Sequence, residues 1–139
     1  MSWRPRAEAG TAVALVAVGL LTGCSGSGED LDLAGRAFTS TEVRGHTLVD
    51  GTSVTVTFAE DSISAQAGCN TLAGGATWTN GVLTAGPLAM TMMACEDDLS
   101  AQDQWLSELL ASEPAIELDG DTLVIGDDTE GITLTEDGS

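Results

Sequence analysis

Three cysteines, one histidine and a methionine cluster are the side chains best suited to chemistry in this sequence. Cys69 and Cys95 stand too far apart for a C-x-x-C pair, and the lone His46 is remote from both in the chain. Met90, Met92 and Met93 carry thioethers, which are soft ligands for Cu(I). On a strand, however, Met90 and Met92 share one face and Met93 the other. Core packing is therefore their expected role. Asp127, Asp128 and Glu130-Gly131 come near a calcium loop. Setting Gly131 at the EF-hand glycine puts Gly126 at the first ligand position, so a polar turn is expected instead. There is no G-x-S-x-G elbow, no H-E-x-x-H and no phosphate-cradling glycine loop followed by Lys. Nothing sets two carboxylates across a cleft as a glycosidase needs. His46 reads as a surface residue and Asn70 as a turn former. No catalytic residue, metal site or cofactor is assigned, and the expectation is a protein that is not an enzyme.

Cys24 belongs to a different pattern. Arg4 and Arg6 give a short positive start, with Glu8 as an untidy acid behind them. An apolar run, Thr11 to Leu21, follows; its length suits a signal-peptide core rather than the ~20 residues of a membrane span. It closes on Leu21-Thr22-Gly23-Cys24, which resembles the bacterial lipobox. That resemblance implies cleavage before Cys24 and a diacylglycerol on its sulfur. The alternatives are an ordinary cleaved signal, with Cys24 incidental, or an uncleaved anchor. Ser25-Gly26-Ser27-Gly28 follows as a flexible tether. More than one acyl chain anchors stably where a single chain binds only marginally.

The chain of 139 residues carries 22 acids and four cationic side chains, all arginine, for a formal charge of −18. A nucleic-acid binder needs Lys and Arg to neutralise phosphates, so that class is excluded. Docking to anionic lipid by charge is excluded as well. The charge discourages self-association, and a monomer is expected. An apolar share of 42% suffices for one folded domain. Residues 1–23 are read as a lipoprotein signal, 24–32 as the lipidated cysteine and linker, and 33–139 as the domain.

From Leu33 the chain reads as short strands with one helix. Val54 to Phe58 and Ser62 to Ala65 alternate apolar and polar residues, with a turn at Glu60-Asp61. Gly74-Gly75 is read as a break before Thr77-Trp78-Thr79. Asn80-Gly81 is a strong hairpin signal, with Val82-Leu83 returning. Leu88 to Ala94 is apolar enough for a strand buried on both faces. A helix is expected over Ala101 to Ser112, capped by Ser100 and ended by Glu113-Pro114. Trp105, Leu106, Leu109 and Leu110 share its apolar face, and Asp103 and Glu108 look away. Ile116–Leu118, Thr122–Ile125 and Ile132–Leu134 make a closing meander. The fold class is mainly β: a small, mostly antiparallel, barrel-like sheet with one covering helix.

Three segments in this order resemble the META domain, the HslJ-like family. They are Ala67-Gly68-Cys69-Asn70, then Met90-Thr91-Met92-Met93-Ala94-Cys95-Glu96, then the Trp/Leu helix with the meander from Leu118 to Leu134. The first is similar to the family's AGCN-type turn. The second is similar to its T-x-M-A-C segment, which Thr91, Met93, Ala94 and Cys95 supply. The likeness runs from about Leu33 to Leu134. Phe38 and Ala76 depart from it, standing where the family more often has aromatics, Trp in the first case. The resemblance implies a compact barrel-like fold with one helix and an envelope or secreted location. It implies no known reaction.

Two cysteines in an exported domain are more often bridged than free. A Cys69–Cys95 bridge would close a loop worth about 3.5 kcal/mol in the chain-entropy model. Two buried free thiols, or a redox or metal pair, are the alternatives. The expected function is a noncatalytic envelope module, stress related as the family name suggests, anchored to the membrane through Cys24. Its partner is an unknown envelope protein or a small ligand. A ligand carrier using the barrel interior, and an envelope enzyme or enzyme inhibitor, are the competing classes.

Overall fold

A computed structural model describes residues 31–137 of the chain. The segment 1–23 expected to be a signal, Cys24 and most of the expected linker lie outside the described residues. Leu31 and Asp32, assigned to the linker by sequence, are among them. Leu31 packs against the core, and its carbonyl accepts a hydrogen bond from the Trp78 indole at 3.1 Å.

Nine strands and one helix follow. They are β1 (Ala37–Arg44), β2 (Thr55–Phe58), β3 (Ser62–Gln66), β4 (Thr71–Thr79), β5 (Val82–Ala85), β6 (Ala89–Met90), α1 (Asp97–Ala111), β7 (Ile116–Asp119), β8 (Thr122–Gly126) and β9 (Gly131–Glu136). The antiparallel order is β5-β4-β3-β2-β1-β9-β8-β7, with β6 paired to β4. Its two ends meet at a bridge between Val82 and Ala115. There Leu83 N donates to the Pro114 carbonyl and Ile116 N to that of Gly81, at 2.9 and 3.0 Å. The sheet is thus a nearly closed barrel. Inward residues alternate with outward ones, and Phe38, Phe58, Trp78, Leu83, Leu123 and Leu134 are among those that fill its middle.

Local chemistry explains the elements and also the departures from expectation. Asn80 and Gly81 both have positive φ, 58° and 77°, as a two-residue hairpin turn requires. Gly74-Gly75 does not break the chain. Through Gly75 β4 pairs with β3, and from Ala76 it pairs with β5, so the glycines form a corner between the two. A side chain on Gly74 would lie 2.7 Å from the Pro87 carbonyl. The Leu88–Ala94 strand is also corrected. Only Ala89 and Met90 pair, opposite Leu72 and Ala73, and residues 91–96 run on as irregular chain.

The helix is longer than its periodicity suggested. It starts at Asp97, with Glu96 as an N-cap that makes no side-chain cap bond, and Ser100 lies inside it. Asp97 and Asp98 in the first turn suit the positive end of the helix dipole. Ser112 is the C-cap, and Glu113 turns the chain with φ of 57°. Trp105, Leu106, Leu109 and Leu110 are buried together as expected. Among the described residues no helix is long and apolar enough to cross a membrane.

Candidate functional site

The segments that carry the family likeness meet where the β3–β4 turn, the irregular chain after β6 and the first half of α1 come together. Cys69 and Cys95 are joined in a disulfide, with Cα atoms 6.3 Å apart. The bridge clamps the turn to the segment that leads into the helix.

Asn70 does far more than satisfy a turn. It is 6% exposed, and every hydrogen-bonding position of its side chain is used. Its Oδ1 accepts from Thr91 Oγ1 and from the Met93 amide, both at 2.8 Å. Its Nδ2 donates to Asp103 Oδ2 at 3.1 Å and to the Cys95 sulfur at 3.5 Å. Its own amide donates to Asp103 Oδ2 at 2.9 Å. One side chain therefore fixes the methionine loop, the disulfide and the helix relative to one another. Thr91 continues the link, its Oγ1 accepting from the Thr71 amide at 2.9 Å.

Asp103 is the second correction. It faces inward, 1% exposed, rather than away from the apolar face. The helical period would have placed it there, since it lies three residues before Leu106 and seven before Leu110. Its Oδ2 takes both Asn70 bonds, while its Oδ1 is buried without a hydrogen-bond partner. Gln102, fully buried beside it, was missed for the same reason. It accepts from the Val49 amide at 2.6 Å and donates to Thr52 Oγ1 at 3.0 Å and to the Ala67 carbonyl. Ala67 is buried. Gly68 has a φ of 130° and lies close against Gln102 and Leu99. Each residue of the Ala67–Asn70 turn thus has a structural task.

The methionines are the third correction. Met92 and Met93 are not core residues: they are 89% and 62% exposed. Met90 packs partly against the core. Rather than splitting between two faces, all three line one concavity of about 220 Å³, together with Asn70, Ser100, Asp103 and Gln104. The irregular chain after β6 is what allows this, because strand alternation ends at Met90. Ala94 is exposed beside them.

Cys69 Sγ, Cys95 Sγ and an Asp103 carboxylate oxygen lie within 4.8 Å of one another. With the sulfurs bonded to each other, neither offers the thiolate that a metal would take.

A second concavity, about 380 Å³, opens beside the β1 irregularity at Thr41, lined by Ser40, Glu42, His46 and Thr52 among others. His46 is half-buried and stacks on Trp105, with ring centroids 5.2 Å apart. The Trp105 indole donates to Glu130 at 3.0 Å. The acidic run after β8 is a polar turn: Asp127 accepts from the amides of Thr129 and Glu130, both at 2.9 Å. Those two bonds, that from Glu130 foremost, hold its carboxyl below the usual carboxylate range.

A nearly closed antiparallel barrel with one covering helix and a bridged AGCN turn defines a class, and comparison with known proteins names it. The META domain model matches residues 31–138, and the chain belongs to the META domain family. Two structures solved by NMR are similar. One is 29% identical with a TM-score of 0.61, the match covering 74% of this chain and 90% of that one. The other, from Burkholderia xenovorans, is 17% identical with a TM-score of 0.61, covering 77% and 85%. At that identity the second likeness speaks to the fold alone. No curated protein matches.

Proposed function

We infer that this META-domain protein is a noncatalytic binding module of the cell envelope, held at the membrane by a lipid on Cys24, with its binding surface at the barrel rim. The observation that carries the reading is the exposure of Met92 and Met93 on a loop whose backbone is pinned to buried Asn70. A large apolar side chain exposed on a fixed support is a recognition feature more than a packing feature. The barrel middle holds Phe38, Phe58 and Trp78. A small ligand is therefore better accommodated at the rim than inside. The disulfide suits an oxidising, extracytoplasmic compartment.

The test is affinity recovery from detergent-solubilised membranes with three forms of the full chain: wild type, Cys24→Ala, and Met92→Ser with Met93→Ser. One dominant partner or ligand that is lost with the serine variant supports the reading. Its loss with Cys24→Ala as well makes the tether part of the function. Equal recovery by wild type and the serine variant would contradict a rim surface.

A further inference from the structure

We propose that Met90, Met92 and Met93 form a binding site for a soft monovalent metal ion, cuprous copper by its chemistry, in the concavity above Asp103. The proposal rests on the rim-binding reading and supplies its ligand class. Three thioethers line one small concavity, two of them largely in solvent. Thioethers select Cu(I) over hard cations, and they ligate without losing a proton. Both sulfurs of Cys69 and Cys95 are consumed by their bridge, so the methionines are the soft donors left at this place. Unbranched and exposed, Met92 and Met93 can swing onto a bound ion without moving the core.

A second and independent observation points to a cation. Asp103 lines the same concavity and keeps a buried Oδ1 without a hydrogen-bond partner. A buried carboxylate oxygen left unpaired is costly unless something positive or protic reaches it. The chain has no lysine to do so. Of its arginines in the described residues, Arg36 pairs with Glu136, while Arg44 binds Asp127 O and Thr133 and pairs with Glu42. Neither of these arginines is paired with this oxygen, and the partner proposed for it is the bound ion. Calcium or magnesium is the poorer match: hard cations prefer oxygen donors, whereas three of the side chains lining this place present thioethers and, among the described residues, Asp103 is its one carboxylate. Three neutral sulfurs with one carboxylate beneath them match a single positive charge.

The experiment titrates Ag⁺, a redox-inert stand-in for Cu⁺, into the full chain carrying Cys24→Ser, so that no free thiol competes. The Cys69–Cys95 bridge is first confirmed by mass, and methionine methyl NMR is the readout. The four methionines give an internal control, because Met1 is remote in sequence from the other three. The methyls of Met90, Met92 and Met93 are expected to shift together and saturate at one equivalent, with Met1 unmoved and Zn²⁺ without effect. Met92→Leu with Met93→Leu keeps the apolar ledge but removes two thioethers, and should abolish saturation. Asp103→Asn keeps one acceptor oxygen for the two Asn70 bonds, removes the carboxylate and should weaken Ag⁺ by about tenfold. Silent methyls, equal shifts with Zn²⁺, or unchanged Ag⁺ affinity in the leucine variant would overturn the site. In the recovery experiment above the leucine variant should still capture a protein partner, so a failed metal site leaves the binding-module reading standing.

Discussion

Asn70 carries the heaviest duty of any single residue in the domain, because it joins three segments through five hydrogen bonds. Asn70→Ala leaves the backbone amide on Asp103 Oδ2 but removes the second bond to that oxygen and strands the Met93 amide, and should cost about 2 kcal/mol of stability. Amide hydrogen exchange reads the same event locally. The Met93 amide should be protected in wild type although its side chain is exposed, and the protection should vanish in the variant. At Asp127 the sign of a pH effect follows from its lowered value. A depressed folded-state carboxyl stabilises above its unfolded pKa, and that contribution is lost as pH falls through the folded value. The melting-temperature gap between wild type and Asp127→Ala should therefore be full at neutral pH and close as pH drops below about 4. A gap that widened in acid would contradict the turn's hydrogen bonds. These residues show why polarity misleads sequence reading. Asp103 and Gln102 were legible as inward by helical spacing, but their polarity argued against it. Their partners, Asn70, Val49 and Ala67, lie 30 or more residues away along the chain, where no local pattern reaches.

At the scale of elements, strands were the most legible, because alternation in Thr55–Phe58 and Ser62–Gln66 and the Asn80-Gly81 turn are local signals. Two errors arose where the environment decides. The Leu88–Ala94 run is apolar enough for a buried strand, yet after Met90 it lacks a continuing partner and yields to the Asn70 anchor and the disulfide. Gly74-Gly75 looked like punctuation, whereas it bends a strand shared by two neighbours. The disulfide joins residues 26 apart, from the β3–β4 turn to the entry of α1. Cys69→Ala with Cys95→Ala should cost about 3.5 kcal/mol by chain entropy, measured by denaturant unfolding. Within the native state the loss should be felt first around Asn70 and Thr91, since the bridge and the Asn70 bonds restrain the same loop. A loss spread evenly over the barrel would count against that picture.

The whole molecule combines a packed barrel with a strongly acidic surface, its formal charge being −18. In general a charge of this size opposes self-association and attracts cations. The barrel closes at Val82 and Ala115, and large buried side chains fill its middle, which is why the proposed binding surface is placed at the rim. Fold class and the disulfide were readable from the sequence. The methionine-lined concavity was not, because it forms only when the β3–β4 turn, the post-β6 loop and α1 meet. The most direct test puts a photo-reactive residue in place of Met92, and separately in place of Glu117, an exposed position on β7. Photochemistry is needed because a chain without lysine gives amine-reactive reagents little to attach to. Irradiation of intact cells should give a discrete adduct from position 92 and none from 117. Adducts from 117 alone, or the same products from both, would contradict a binding surface at the methionine rim.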